Sequence, residues 1–486
     1  MIEFRDVTFF YGEETAPSVD GVSLKIDKGE TVVLCGESGC GKSTMTRLIN
    51  GLIPHFHEGK LEGEVLYDGK RTMDMRLYEL SEHVGSVFQD PRTQFYNVES
   101  TVELAFGCEN LGVPPEEIEQ RITRTATRFG LEELLDRNLF AMSGGEKQRI
   151  ACGSVDATNP ETLVLDEPSS NLDLFAIHDL AQVVQRWRDD GKTLVIAEHR
   201  IFYLVDLADR FIYIRDGRIE REFRPDELRT LSPEALEDLG LRAPDPWKLA
   251  PRAEARGSGE SLSLRSLKCI TRGRRRLSIP ELTLPRGEII AVIGRNGAGK
   301  TTLARTLCGL EKTGSGVLGI DGATHDIRKR RDLVYMVMQD VNHQLFTEDV
   351  ISELLLSMDG TDPDAEQKRA MEILRSLDLD DKSGRHPMSL SGGEQQRVAI
   401  GSAIAAGREI LILDEPTSGL DYKRMTQVAD YLTAMSADGK TVLVITHDIE
   451  LVLRCCSHAI YLVDGEVAQK SRMDETGAQQ LREFFE

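Results

Sequence analysis

The 486-residue sequence predicts an α/β protein of two tandem domains, each built around a mainly parallel sheet. Three observations predict it. One set of short segments occurs twice in the same order. Within each half, Val/Ile/Leu runs alternate with amphipathic stretches of helical period. The Gly-rich and acidic segments fall where apolar runs end, and ligands of parallel sheets bind beyond the carboxyl ends of the strands.

Gly36-Glu37-Ser38-Gly39-Cys40-Gly41-Lys42-Ser43 recurs as Gly294-Arg295-Asn296-Gly297-Ala298-Gly299-Lys300-Thr301. Ser143-Gly144-Gly145-Glu146 recurs as Ser391-Gly392-Gly393-Glu394, and Leu165-Asp166-Glu167-Pro168 as Leu413-Asp414-Glu415-Pro416. The interval from Ser143 to Asp166 equals that from Ser391 to Asp414. The interval from Asp166 to His199 equals that from Asp414 to His447. Chance recurrence would not hold that register. The stretch from Lys42 to Gln89 is longer than that from Lys300 to Gln339, and an insertion around Pro54 to Gly63 accounts for most of the difference.

Taken in order, the elements support this division. Met1 to Val7 starts directly on a strand-like alternation, with neither a basic leader nor a cleavable apolar stretch, so export is not expected. The apolar runs Thr31 to Cys35, Ile289 to Ile293 and Ile410 to Leu413 are strand-sized, far below the roughly 18 residues that span a bilayer. Ser143-x-x-Glu146 and Ser391-x-x-Glu394 fit capping boxes opening helices. Arg224 to Ser261 carries Pro225, Pro233, Pro244, Pro246 and Pro251 and then Gly257-Ser258-Gly259, which cannot sustain one long element. The expected division is a first domain over 1–240, a linker over 241–260 and a second domain over 261–486. A short helix opened by Ser232-Pro233 and closed at Gly240 is expected to pack on the first domain.

The net charge of −22 disfavours non-specific binding to phosphate backbones or anionic lipid. The basic runs Arg272 to Arg276 and Arg328 to Arg331 read as solvated faces rather than an RNA site. Eight cysteines lie scattered without a CxxC pair and read as reduced thiols, with Cys455-Cys456 on a helix face.

Gly-x4-Gly-Lys-Ser/Thr between a strand and a helix is a phosphate cradle. Glycines let backbone N–H groups approach, lysine reaches the β and γ phosphates, and the hydroxyl takes Mg2+. Asp166 and Asp414, at strand ends, suit holding that metal. Glu167 and Glu415 suit polarising a water for in-line attack on the γ phosphate. The glycines after Ser143 and Ser391 leave helix N-termini open to a phosphate.

Phosphate loop, a glutamine after a strand, Leu390-Ser391-Gly392-Gly393-Glu394, Asp-Glu-Pro and a final histidine together resemble the nucleotide-binding domain of the ATP-binding cassette family. The resemblance covers both halves. It implies cassettes of the phosphate-loop NTPase class, each adding an antiparallel β part and a helical subdomain, that clamp two ATP molecules head to tail within one chain. One site would use Lys42, Ser43, Thr44, Gln89, Asp166, Glu167 and His199, completed by Ser391, Gly393 and Asp421. The other would use Lys300, Thr301, Thr302, Gln339, Asp414, Glu415 and His447, completed by Ser143, Gly145 and Asp173. Gln89 and Gln339 would join Ser43, Thr301 and the aspartates at the metal, and both sites would hydrolyse ATP. Tyr11 fits the ring that stacks adenine, whereas the matching Ile270-Thr271-Arg272-Gly273 supplies none.

Gln89-Asp90-Pro91-Arg92-Thr93-Gln94-Phe95 and Gln339-Asp340-Val341-Asn342-His343-Gln344-Leu345-Phe346 share a second glutamine five residues on. In that respect the chain resembles the energy-coupling-factor group of vitamin and metal-ion importers. That resemblance implies a peripheral ATPase on the cytoplasmic face of the membrane, partnered by an integral scaffold subunit and a small capture subunit, with no nucleic acid. A polar Gln-x4-Gln can also merely close a turn. Tandem sugar-import ATPases and soluble two-cassette translation factors are the rival classes.

Overall fold

A computed structural model describes the chain except for residues 253–260, 272, 273, 321, 359, 361 and 486. The described residues form two units. The first is Met1–Pro246 with Gly419–Lys423, and the second is Trp247–Ser418 with Arg424–Glu486. Gly257-Ser258-Gly259 and Arg272, singled out in the sequence, lie outside the described residues.

In the first unit the strands are β1 (Ile2–Tyr11), β2 (Val19–Ile26), β3 (Thr31–Cys35), β4 (Gly59–Tyr67), β5 (Lys70–Arg71), β6 (Val84–Val87), β7 (Thr162–Asp166), β8 (Thr193–Ala197), β9 (Arg210–Arg215) and β10 (Arg218–Phe223). They form an antiparallel sheet in the order β2-β1-β4-β5 and a second sheet in the order β10-β9-β3-β8-β7-β6. The second sheet is parallel from β9 to β6, with β10 antiparallel at its edge.

Every residue of β3 is buried, because both faces of this sheet are covered. Its period of two sends Val32 and Leu34 into a core shared with Phe4, Phe9, Met45 and Leu48. Val33 and Cys35 enter a second core with Ile150, Ile177, Val184 and Trp187. Each fully buried aliphatic side chain contributes about 1.5–3 kcal/mol, so this alternation fixes the strand between two layers. Helices Ser100–Asn110 and Pro115–Phe129 pack on helix Gly144–Thr158 as a helical part.

The second unit repeats the plan with β11 (Ser261–Thr271), β12 (Arg274–Pro285), β13 (Ile289–Ile293), β14 (Ser315–Ile320), β15 (Ala323–His325), β16 (Val334–Val337), β17 (Ile410–Asp414), β18 (Thr441–Ile445), β19 (His458–Val463) and β20 (Glu466–Arg472). Its sheets run β12-β11-β14-β15 and β16-β17-β18-β13-β19-β20, the latter parallel up to its antiparallel edge strand β20. Helices Val350–Leu356 and Pro363–Ser376 pack on helix Gly392–Ala406. The α/β fold expected from the sequence, duplicated and with antiparallel and helical parts, is the fold observed.

Several local expectations also hold. Helix Pro233–Leu239 is capped by Ser232 and buries Leu236 in the first unit's core, and Tyr213 donates to the Leu239 carbonyl at 2.8 Å. All eight cysteines are buried and unbridged. The inserted stretch is visible: helix Lys42–Ile49 is followed by helix Leu52–His55 before β4 begins at Gly59. One expectation fails, because Arg330 in the second basic run is fully buried and its guanidinium donates to the Thr306 carbonyl at 3.3 Å and to that of Gly316. Backbone carbonyls, not solvent, meet that charge.

Candidate nucleotide site

In the first unit β3 delivers the chain into a tight loop over Gly36 to Gly41 and then into helix Lys42–Ile49. Two glycines are required by close approach. A Cβ on Gly36 would lie 2.2 Å from the Ile214 carbonyl oxygen, and one on Gly41 2.4 Å from that of Ser18, both at positive φ. The buried Lys42 turns its ammonium back over the loop, donating to the carbonyls of Gly36 at 3.0 Å and Glu37 at 2.9 Å. Ser43 Oγ donates to Asp166 Oδ1 at 2.9 Å. Burial raises the Asp166 carboxyl above its ordinary value, against the Ser43 hydrogen bond that lowers it.

Glu167 has left-handed backbone, φ 44°, secured by its N–H donating to the Ala197 carbonyl at 2.8 Å. That conformation is costly for a side chain larger than Asn and persists only where its surroundings enforce it. Gln89 Nε2 donates to Glu167 Oε2 at 2.9 Å, and His199 Nε2 lies 3.2 Å from Oε1. Burial alone would raise the Glu167 carboxyl; the hydrogen bond and charge of His199, with the charge of Lys42, outweigh it and leave the pKa lowered. The Ser38 N–H donates to Asp421 Oδ2 at 2.8 Å, within the first unit. Tyr11 Oη lies 3.2 Å from Thr44 Oγ1 and accepts from Arg47 at 3.0 Å.

The second unit repeats this geometry. Lys300 donates to the carbonyls of Gly294 at 2.7 Å and Arg295 at 3.3 Å, and Thr301 Oγ1 donates to Asp414 Oδ2 at 2.9 Å. Burial raises Asp414 as it does Asp166. Glu415 is also left-handed, φ 50°, and His447 Nε2 stands 3.4 Å from its Oε1. Here the units differ, because Lys300 Nζ is 2.9 Å from His447 Nε2. An ammonium only donates, so that nitrogen accepts from Lys300.

A second cluster in each unit lies at the start of a helix. Ser143 N–H donates to Glu146 Oε2 at 2.7 Å and Ser143 Oγ accepts from Glu146 N at 3.3 Å, the capping box read from the sequence. Asp173 caps helix Leu174–Asp189 through Ala176 N at 2.8 Å, and a Cβ on Gly145 would meet Ala176 Cβ at 2.8 Å. In the second unit Ser391 N–H donates to Glu394 Oε2 at 2.8 Å. Despite partial burial, Lys382 and the Ser391 donors hold the Glu394 carboxyl down to about 2.

Some organising residues escaped the sequence reading. Buried Glu198 accepts from the N–H groups of His199 at 2.8 Å and Arg200 at 3.1 Å and from Tyr203 Oη at 2.9 Å, so it shapes the loop presenting His199. In the second unit Asp448, beyond the histidine, accepts from Thr417 Oγ1 at 2.8 Å. The acid changes sides of the histidine between the copies, which hides the equivalence from motif comparison.

Two lysine-bearing phosphate loops, each with a hydroxyl on an aspartate and a glutamate beside a histidine, define a duplicated nucleotide-binding cassette protein. The ABC transporter family model matches residues 19–170 and 277–418. A putative ABC transporter ATP-binding protein of Treponema denticola is 41% identical over 478 residues, covering 97% of each chain. The chain belongs to the ABC transporter family and is an ATP-binding, ATP-hydrolysing cassette protein. In fold it resembles ABCE1 in a model of ribosome-bound archaeal Pelota and ABCE1, with a TM-score of 0.71 at 23% identity, covering 99% of this chain and 80% of that one. It also resembles the archaeal ribosome recycling factor solved with a ribosomal stalk protein, with a TM-score of 0.67 at 22% identity over 98% and 92%.

These matches correct the expected partners. Both of these whole-length likenesses are to structures described with ribosomal partners, not with an integral scaffold and a capture subunit, so the expected membrane subunits are not borne out. The physical reason lies in the segments that carried the expectation. Gln94 Oε1 accepts from Phe88 N at 3.2 Å and Gln344 Oε1 from Met338 N at 3.1 Å, so each second glutamine closes a turn. Two cassettes in one chain, the remaining part of that expectation, fit the matches.

Proposed function

We propose that the chain is a two-site MgATP hydrolase in which each phosphate loop, with its Asp-Glu pair and histidine, forms the core of one site. The observation that carries this is the glutamate–histidine pair beside a lysine-bearing loop, present twice at 3.2 and 3.4 Å. Lys42 and Lys300, already turned over their loops, take the β and γ phosphates. Glu167 and Glu415 accept a proton from the attacking water, and His199 and His447 hold the glutamates and the γ phosphate in line. Gly39 and Gly41, with Gly297 and Gly299, present backbone N–H groups suited to phosphate oxygens.

The residues fit Mg2+. Asp414 is a buried carboxylate and Asp166 a partly buried one; the ionised form of each lacks favour, each is touched by a hydroxyl, and a divalent cation answers that charge. Ser43, Asp166 and Gln89, and Thr301, Asp414 and Gln339, would hold it. When bound it neutralises the β and γ phosphate oxygens. Among the described residues no group of three or more His, Cys, Asp or Glu is placed to hold a metal.

Steady-state ATP turnover tests the assignment. Glu167→Gln and Glu415→Gln should each lower the rate, and the double variant should fall to about one hundredth or less. Full turnover in both single variants would remove the glutamates from the mechanism.

Two readings of what the ATPase drives have support. Relatives described as ABC transporter ATP-binding proteins support coupling to transport, without support for the narrower vitamin or metal-ion importer. The whole-length likeness to ribosome-associated ATPases supports a soluble two-cassette role, and that support is of fold alone. Among the described residues no helix is long and apolar enough to cross a membrane. Sedimentation of the Glu167→Gln, Glu415→Gln protein with ATP through a sucrose gradient of clarified lysate separates them. Comigration with ribosomal subunits favours the second reading, and its absence the first.

A further inference from the structure

The first unit carries aromatic residues that neither its phosphate chemistry nor its core uses. The inserted stretch after helix Leu52–His55 places His57 beside Tyr11, with ring centroids 6.2 Å apart and planes at 87°. Phe56 follows at 5.3 Å and 82° from His57, and its side chain is 75% exposed. On the other side Tyr11 packs edge-on against buried Phe9 at 4.9 Å. The row of rings ends in solvent at Phe56.

The stretch is fixed by its backbone. Phe56 N and His57 N both donate to the Leu52 carbonyl, at 2.8 and 2.9 Å, and Gly12 N donates to the Glu58 carbonyl at 3.3 Å. Tyr11 pairs with Gly59 across β1 and β4, and a Cβ on Gly59 would strike the Phe10 carbonyl at 2.2 Å. Tyr11 joins this row to the site, because its Oη lies 3.2 Å from Thr44 Oγ1, next to the Ser43 of the phosphate loop. Burial, with the nearby Arg47 charge, pushes the His57 pKa below its ordinary value, so its ring is neutral at pH 7 and suited to stack on an uncharged base.

The sequence of the second unit supplies no ring at the matching stretch. Between helix Lys300–Leu307 and β14 the chain reads Cys308-Gly309-Leu310-Glu311-Lys312-Thr313-Gly314, without a ring.

We infer that Phe56 and His57 form, with Tyr11, an aromatic corner that clasps the nucleotide base in the first site, so that this site holds ATP through its base as well as its phosphates. The inference rests on the proposed assignment of the first site and extends it to a base-recognising element in one copy only. Base–aromatic stacking is insensitive to hydrogen-bond pattern, so the corner selects for a flat heterocycle rather than for one particular purine.

The test is calorimetric titration of the full chain carrying Glu167→Gln and Glu415→Gln, with MgATP and separately with Mg-tripolyphosphate, which has no base. Adding Phe56→Ala and His57→Ala should weaken one of two ATP equivalents by about tenfold or more and leave tripolyphosphate unchanged. Unchanged ATP affinity overturns the inference, and so does equal weakening of both ligands, which would mean that the rings merely support the loop. Tyr11→Ala provides the separating arm. If it weakens ATP while the Phe56 and His57 changes do not, this inference fails and Tyr11 keeps its base-stacking role. If none of the three changes weakens ATP, the base does not lie at Tyr11 and that part of the site assignment fails with it.

Discussion

Opposite electrostatic loads fall on adjacent side chains at the end of β7. Burial raises Asp166 above the ordinary 3.8, so folding makes its ionised form harder to hold than it is in the unfolded chain. The associated stability is present at low pH and lost as pH rises through the raised value. Glu167 is lowered from 4.5, so it stabilises above that value and ceases to do so as pH falls through its folded pKa. Near neutral pH, Asp166 and its counterpart Asp414 therefore burden the nucleotide-free protein. Asp166→Asn and Asp414→Asn remove a desolvated charge while leaving an oxygen to accept from Ser43 or Thr301. Each should raise the melting temperature of the nucleotide-free chain by about 2 °C or more, and flatten its decline as pH rises from about 4 towards 7. The same variants should lose the additional stabilisation that MgATP gives the parent protein. Scanning calorimetry across pH checks both statements, and a lower melting temperature without nucleotide would show that Asp166 and Asp414 are needed to hold the loop itself. The identity of these residues was legible in the sequence, because apolar runs and spacing put them at strand ends. Their left-handed glutamate neighbours were not, since φ at Glu167 and Glu415 is imposed by the Ala197 and Ile445 carbonyls, far off in sequence.

At the scale of elements, the two helical parts are tied to their cores by different chemistry. Asp156 on helix Gly144–Thr158 accepts from Thr125 Oγ1 at 2.7 Å and from Trp187 Nε1 at 2.9 Å, and Arg128 stands 3.5 Å away. Asp156, Thr125 and Trp187 are all buried, so three helices meet on one carboxylate. In the second unit the corresponding positions are Ile373, Ile404 and Met435, whose side chains carry no hydrogen-bonding donor or carboxylate to make such a tie. The match of Thr125 with Ile373 is structural, since each lies beside the helix glycine, Gly153 or Gly401. Removing one member of a buried polar set leaves the others unpaired. Asp156→Ala should cost about 3 kcal/mol in denaturant unfolding of the first unit. Replacing Thr125, Asp156 and Trp187 together by Ile, Ile and Met should recover most of that loss, because volume is retained and no donor is stranded. A triple variant as unstable as Asp156→Ala would mean that the polar set specifies the packing and that hydrophobic volume cannot substitute. Capping boxes and strand runs were legible because they rest on short-range spacing. This tie was not, because it joins residues from three helices, and nor was the burial of Arg330, which depends on the Thr306 and Gly316 carbonyls.

Across the whole molecule, duplication was the clearest signal in the sequence, and divergence between the copies is what the structure adds to it. The first site has Gln89 and His199 both on Glu167, whereas in the second His447 Nε2 is engaged by Lys300 at 2.9 Å. A nitrogen that accepts from an ammonium does not at the same moment donate to a carboxylate. His199 can therefore orient Glu167 as the site stands. The His447 N–H already donates to Glu415 Oε2 at 3.3 Å, but its ring Nε2 can donate to Glu415 only after Lys300 has been drawn away, as incoming phosphates would do. The first site is better organised before nucleotide arrives, and preorganised groups spend less free energy on alignment during the reaction. Glu167→Gln should therefore remove a larger share of ATP turnover than Glu415→Gln, by a factor of about two or more. Single-turnover measurements on the two variants, each leaving one glutamate intact, read the two rates separately. Equal rates would show that binding phosphate erases the difference at His447, and a faster site at Glu415 would reverse the order argued from the lysine–histidine contact.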